Sequence, residues 1–397
     1  MTSPVAAGVS DLQREADAAL QRRDPVAALA VLDRAAAKGR RDAPLLLSRA
    51  LALRMTGRFA EAIEALDEVL VERPYDFVAH LSKGALLERL DRPRDAAAAY
   101  RIAVDIAPAA DALPPGLIAP LVRAREVLRE QAEALAARLT TDLAPIRARW
   151  PEANLDRFDE GLAIYSGMAE PRPSDTPFPQ RSVQLPYPGL PAVPFWDRDL
   201  FPWLPDLEAA TPTIQRELDG VRRLKADQFA PYIAYPPGAP VNQWGELNHS
   251  RRWSSLFLWK DGVRQDAIWD ACPETAALLD RLPMARQPGY APTAMFSALD
   301  SRTRIPPHTG SANTRLIVHL PLVLPGPSRF RVGPETRDWR MGEAWVFDDT
   351  IEHEAWNDAD DTRVILIFDV WNPLLSDAER DLISAMMTAR NVWAAEA

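Results

Sequence analysis

Three histidines lie toward the C-terminal end in settings that suit chemistry: His308 and His319 in IPPHTGSANTRLIVHL, and His353 in FDDTIEHEAWN. His308 is expected to precede a long strand, behind Pro306 and Pro307, and His353 to sit between two strands. Two histidines about 45 residues apart, carried on opposite ends of a barrel sheet, are what a mononuclear iron site in a jelly roll requires. Neutral imidazole suits Fe(II), and barrel closure brings strand ends together. A coordinating carboxylate two positions after His308 would point the same way; that position is Gly310. Water or another ligand would then fill the place. A lone His-x-Gly is common, however, and a histidine beside prolines is often a packed or solvated loop residue. The residues alone leave both readings open.

The neighbouring strands add charge to the picture. In TRLIVHL, alternation puts Arg315, Ile317 and His319 on one face and Leu316, Val318 and Leu320 on the other. In TRVILIFDV it groups Arg363, Ile365, Ile367 and Asp369. An arginine in a strand that otherwise reads as buried needs an anion. A structural carboxylate, from Asp348, Asp349 or Asp369, is one answer; a dicarboxylate cosubstrate is the other.

The elements that must position these residues are short strands at 254–260, 293–299, 314–324, 343–348 and 362–371, broken by Gly, Pro and Asp turns. Such spacing suggests a sandwich or jelly-roll barrel. Helices are expected at 207–224, 270–282 and 377–388. Ahead of them, ten of the 35 positions from Pro171 to Pro205 are proline, a density that excludes regular helix or sheet. The stretch reads either as a linker or as a fixed segment packed through Tyr187, Phe195 and Trp196, since flexible linkers seldom carry so many aromatics.

The first third is alanine- and leucine-rich and repeats itself. A shift of 34 superimposes Ala28, Ala62 and Ala96; stacks Leu32, Leu66 and Tyr100; and pairs Ala50 with Gly84, Asp42 with Asp76, and Pro74 with Pro108. Small residues at fixed helical positions, held through three units, resemble the tetratricopeptide repeat. Further helix is expected at 117–143 and 146–168.

Composition sets outer limits. One cysteine, Cys272, excludes a disulfide framework, zinc ribbons and iron–sulfur ligation, and fits a reducing, cytoplasmic setting. A net charge of −10 argues against nucleic acid or an anionic membrane as partner. The N-terminal stretch lacks a basic region followed by an apolar core, and no run of apolar residues is long enough for a membrane span.

The segments YPGLPAVPFWD, WSSLFLW, HTGSANTRLIVHLPLVLP and WVFDDTIEHEAWNDADDTRVILIFDVWNP together resemble the aspartyl/asparaginyl β-hydroxylases, Fe(II)- and 2-oxoglutarate-dependent oxygenases. The resemblance covers roughly the last 220 residues. It implies a multidomain α + β chain: a tetratricopeptide-like helical solenoid over 1–142, a helical and proline-rich connecting segment over 143–206 packing on the oxygenase, and a double-stranded β-helix over 207–397. It also implies His308 and His353 as iron ligands, with glycine standing where other oxygenases carry an acid. Arg363 and Ser297 would hold the distal carboxylate of 2-oxoglutarate, and His319 its carboxylate nearer the metal. Arg315 and Trp253 would line the substrate site. O2 is the co-reactant, and the β-carbon of an aspartyl or asparaginyl residue in a peptide or protein is the expected acceptor, presented by the groove of the repeats. Ile317 departs from the pattern, because animal members carry a second arginine there. Other acceptors on the same iron site, such as a lipid acyl chain or a small amino-acid-derived metabolite, and a non-catalytic scaffold remain as alternatives. His80, His249 and Cys272 read as structural, and Asp348, Asp349, Glu352 and Glu354 as turn-forming or supporting groups around His353.

Overall fold

The computed structural model describes residues 11–396, apart from 110, 174, 237, 238 and 240. Its contacts define two compact units, one within residues 11–132 and one within Glu133–Tyr235 and Val241–Glu396.

The first unit is helical. α1 (Asp11–Gln21), α2 (Pro25–Ala37), α3 (Ala43–Met55), α4 (Phe59–Glu72), α5 (Phe77–Arg89) and α6 (Pro93–Asp105) follow one another through short turns. Proline in the first turn and aspartate caps start several of them: the Asp24 and Asp76 side chains accept from the backbone N–H groups of Ala27 and Ala79. The 34-residue period is visible in the packing. Ala28, Ala62 and Ala96 are fully buried, as are Leu32, Leu66 and Tyr100. The largest residue of the second set meets the smallest partner, for a methyl group added at Gly84 would fall within the Tyr100 ring. In the preceding unit the corresponding pair is Ala50 with Leu66. His80 is buried here and bonds through Nε2 to the Pro74 carbonyl at 2.9 Å, a structural role.

α7 (Pro115–Arg147) is one continuous helix of 33 residues, reaching past both ends of the 117–143 stretch expected from sequence. Its later residues Leu135, Leu139 and Leu143 belong to the second unit, where they pack with α8 (Asp156–Ser166).

The strand-rich part of the second unit holds two antiparallel sheets, which is the jelly-roll class expected from the sequence. The strands are β1 (Ala230–Pro231), β2 (Trp253–Lys260), β3 (Val263–Arg264), β4 (Ala294–Leu299), β5 (Thr303–His308), β6 (Arg315–Val323), β7 (Ser328–Val332), β8 (Glu335–Asp338), β9 (Trp345–Phe347), β10 (His353–Asn357) and β11 (Arg363–Trp371). The larger sheet runs β1-β2-β4-β11-β6-β9, with β3 on β2, and the smaller runs β5-β10-β7-β8. Alternation sorts the larger sheet's faces. Leu316, Val318 and Leu320, together with Val364, Leu366, Phe368 and Val370, enter the core beneath α9 (Leu204–Ala209) and α10 (Thr211–Leu224). Arg315, Ile317, His319, Arg363, Ile365, Ile367 and Asp369 face a cavity on the other side.

Several elements differ from the sequence reading. The stretch 207–224 is two helices, broken at Ala210. Within the expected 270–282 the helix is the shorter α12 (Pro273–Leu279), with α11 (Asp266–Trp269) ahead of it, and α13 (Asp377–Ala395) runs longer than expected. His308 precedes the long β6 as expected, but it also ends β5, a strand absent from the sequence reading because it contains Pro306 and Pro307; β5 lies at the sheet's edge, where a missing N–H costs no ladder bond. His353 opens β10. The proline-rich stretch is a fixed strap. Tyr187, Phe195 and Trp196 are buried, and the strap makes single bridges at Gln180–Ile351, Leu185–Ala312 and Phe195–Phe347. Tyr187 donates its hydroxyl to Glu379 at 2.9 Å, and Gln180 donates to Asp348 at 2.6 Å.

The Gly84–Tyr100 contact yields a prediction. Gly84→Ala should cost about 1–3 kcal/mol of stability by overpacking. Combined with Tyr100→Leu, which restores the Ala–Leu pairing of the preceding unit, it should cost clearly less than the two single changes added. Thermal unfolding across the double-mutant cycle measures that coupling, and strict additivity would contradict the contact.

Candidate active site

β5 and β10 pair antiparallel with His308 directly opposite His353, and their ring centroids lie 4.0 Å apart. Each ring is oriented in the same way. His308 Nδ1 lies 2.8 Å from the Pro306 carbonyl and His353 Nδ1 2.9 Å from the Ile351 carbonyl. A carbonyl only accepts, so both Nδ1 atoms carry the proton and each Nε2 keeps its lone pair. Burial also pushes both imidazoles below their ordinary range and so keeps them neutral. This is the protonation state and the fixed tautomer that a metal ligand needs. Among the described residues no cluster of three or more His, Cys, Asp or Glu side chains gathers at metal-binding spacing, and His308 and His353 stand as a pair.

Gly310 follows β5, and its neighbourhood is occupied. A methyl group added there would collide with the Asp349 carboxylate, so Asp349 fills the space into which a side chain at 310 would project. Asp349 Oδ1 is enclosed without a partner. Burial pushes its carboxyl up to about 7, against the pull of Arg315. The other acidic residues around His353 are committed elsewhere. Asp348 accepts from Thr350 and Gln180, and Glu352 and Glu354 pair with Arg331, Glu354 also with Arg304.

The cavity beside the histidines measures about 780 Å³. On its floor lies Arg363, the largest fully buried side chain among the described residues. Its guanidinium stacks 4.4 Å from the Trp339 ring centroid, while Nε and Nη1 have no hydrogen-bond partner. Burial alone lowers it to about 9. An unpaired buried cation is costly, and its two free donors suit a carboxylate. Ser297 lines the same cavity from β4, with its Oγ accepting from Trp253 Nε1 at 3.1 Å, so its own O–H remains to donate. His319 is buried among Phe330, Phe347 and Trp339, with Nδ1 unpartnered, and burial with the Arg363 charge holds it well below its usual range.

Arg315 is different. Its Nη1 lies 2.5 Å from Asp369 Oδ2, so the structural-carboxylate reading describes it. Trp253 stands near His308, at 6.3 Å between centroids, with its indole N–H engaged by Ser297. His249 bonds the Tyr235 carbonyl and Cys272 is buried. The sequence reading passed over Trp244, whose ring meets His308 edge-on at 5.0 Å, and Tyr232, which lies 4.2 Å from Trp253. Tyr232 sits in a bend and Trp244 in a single 3-10 turn, both too short for periodicity to mark a face.

The raised Asp349 carboxyl has a consequence for stability. The folded chain holds this proton up to about pH 7, whereas an unfolded aspartate releases it near 3.8. The associated stability is therefore full below about pH 4 and lost as pH rises through 7. In metal-free protein, Asp349→Asn should remove that loss, raising the unfolding midpoint relative to the parent at pH 7.5 more than at pH 4. An equal difference at both pH values would contradict the burial argument.

Comparisons with known proteins find relatives over this part of the chain. A profile of aspartyl/asparaginyl β-hydroxylases matches residues 208–373. The ornithine lipid ester-linked acyl 2-hydroxylase of Rhizobium tropici is 34% identical over 50% of this chain and 67% of its own length. The human aspartyl/asparaginyl β-hydroxylase is 30% identical over 48% of this chain, a match that spans only 26% of the human protein. Human aspartate β-hydroxylase domain-containing protein 2 is 27% identical over 63% of this chain and 66% of its own. Among the described residues no helix is long and apolar enough to cross a membrane. The chain belongs to the aspartyl/asparaginyl β-hydroxylase family.

Proposed function

We propose that the chain is an Fe(II)- and 2-oxoglutarate-dependent hydroxylase. The single observation that carries this reading is the unpaired, fully buried Arg363 in the same cavity as two neutral histidines with free Nε2 atoms. The residues fit both groups. His308 and His353 would hold the iron, and Arg363 with the Ser297 hydroxyl would hold the distal carboxylate of 2-oxoglutarate. His319 would face its nearer carboxylate. Bound together, iron and 2-oxoglutarate supply the oxidising chemistry: one atom of O2 enters the acceptor C–H bond and the other enters succinate as CO2 leaves.

The chain's own residues set the conditions. The Pro306 and Ile351 carbonyls fix the histidine tautomers. The Asp349 carboxylate, lying where a side chain at 310 would project, would accept a hydrogen bond from water beside the histidines. Trp244, Trp253 and Phe330 enclose the pair in aromatic surface, which limits solvent access.

As acceptor, the family name favours the β-carbon of an aspartyl or asparaginyl residue, with the helical repeats binding the peptide or protein that carries it. A lipid acyl chain is the second reading, favoured by Ile317 in place of the second arginine of the animal members. His308→Ala should abolish iron binding, read by titration of the metal-free protein, together with iron-dependent succinate release. Arg363→Met should raise the KM for 2-oxoglutarate by about a hundredfold or more, the cost of a lost charged hydrogen bond, with iron binding intact. Iron-dependent turnover surviving in His308→Ala would remove the metal assignment.

A further inference from the structure

Resting on that reading, we infer that Trp244 is an oxidation site of this chain: when no outside acceptor lies over the histidines, the oxygen atom destined for it enters the Trp244 indole ring.

The hydrogen bonds of the histidines set the direction. Each Nδ1 is turned to a backbone carbonyl, Pro306 for His308 and Ile351 for His353, so both Nε2 lone pairs leave from the opposite side of the ring. Both rings line the cavity with centroids 4.0 Å apart, so a metal shared by the two Nε2 atoms is held at the cavity wall. Among the described residues four aromatic rings meet the pair. Trp244 is nearest, at 5.0 Å from His308, against 5.5 Å for Phe347 and 5.8 Å for Phe330 on His353, and 6.3 Å for Trp253 on His308. Its position is fixed from both sides. Trp244 closes a single 3-10 turn (Asn242–Trp244) whose Gln243 side chain donates to the Pro307 carbonyl at 3.5 Å, next to His308 in β5. The Trp244 carbonyl in turn accepts from the backbone of Leu247 and Asn248 at 2.8 Å, and Leu247 is buried.

Chemistry separates these rings further. An indole gives up electrons more readily than a phenyl ring, which sets Trp244 and Trp253 ahead of Phe330 and Phe347. Trp253 is enclosed, for its N–H donates to Ser297 and the Tyr232 ring covers it at 4.2 Å. Trp244 is half-buried and lines the cavity. Met295 lies across that cavity on β4 of the larger sheet, and Tyr232 packs on Trp253 and Phe257. The step balances with the reagents of the proposed reaction. One atom of O2 forms a C–O bond at an indole carbon, whose hydrogen passes to the new hydroxyl; the other enters succinate as CO2 leaves 2-oxoglutarate. Cosubstrate and indole each give two electrons, which leaves the iron as Fe(II), as it began. An outside acceptor seated over the histidines takes the oxygen instead, so Trp244 is oxidised in idle turnover and spared in productive turnover.

The test uses the full chain and needs no identified acceptor. Titrating the metal-free protein with Co(II), which quenches a nearby indole, reads proximity without turnover. Quenching is counted above what His308→Ala retains. Trp244→Phe should lose a larger share of it than Trp253→Phe, and an equal or smaller loss overturns the placement of Trp244 beside the metal. The second arm takes the unaltered chain with Fe(II), 2-oxoglutarate and isotopically heavy O2, acceptor omitted. Mass spectrometry of the tryptic peptide 226–251, which carries Trp244 together with Tyr232 and Tyr235, should find one heavy oxygen on Trp244. Its yield should exceed that at any other residue by about tenfold or more. Label that forms equally without 2-oxoglutarate, or that falls mainly on Met295, Trp253 or Tyr232, overturns the inference. Succinate released while Trp244 stays unlabelled sinks the inference and leaves the hydroxylase reading standing. Neither succinate nor label sinks both.

Discussion

One cross-strand pairing governs this site: His308 opposite His353 on β5 and β10. Slipping the register by one residue would turn one ring to the opposite face of the smaller sheet. Both rings would then lose their common direction, and with it their relation to Arg363 on the larger sheet. The surrounding structure protects that register. Glu354, next to His353, is held by Arg331 and Arg304 from the two strands flanking β10. Trp356, two residues further, lies between Arg304 and Arg329 at 5.4 Å from each guanidinium. The outer face of the smaller sheet is thus latched by charge, while its inner face carries the histidine pair.

The larger sheet makes the complementary contribution through its two faces. One is an unbroken apolar surface under the helices. The other carries Arg315, Arg363 and Asp369, and part of that charge is balanced within it. Arg315 is matched by Asp369, and the polar tip of Ser297 is engaged by Trp253. Arg363 stands apart, with two nitrogens unpartnered in a fully buried setting. An unpartnered cation this deeply buried is where a ligand's free energy is to be sought.

Much of this was legible in the residues themselves. Strict alternation in TRLIVHL and TRVILIFDV placed Arg315, His319, Arg363 and Asp369 on one face, and they share it in the fold. The 34-residue period likewise carried the helical packing, down to the small position that admits Tyr100. The edges of the site were harder. β5 contains adjacent prolines, which read as a break in any local pattern and become tolerable only because the strand lies at a sheet edge. The choice between a structural and a ligand-binding role for Arg315 also lay beyond the sequence. It depends on a contact 54 residues away, and three nearby aspartates were equal candidates. Tyr232 and Trp244 gave no signal, since a bend and a single 3-10 turn have no period to betray which way their residues face.

The proline strap carries a final implication for how the barrel is assembled. Ten prolines between 171 and 205 narrow the conformations open to that stretch before folding begins. Fastening an extended cord of this composition along β9 and the segments that lead into β6 and β10 forfeits less disorder than fastening a glycine-rich one of equal length. The strap is already strung when it arrives, and its aromatics supply the knots. Phe195 packs against Trp345, Phe347 and Phe330 in the shell around the site. A fragment begun downstream of it would be missing part of that aromatic shell, for the barrel and its lead-in belong to one compact unit.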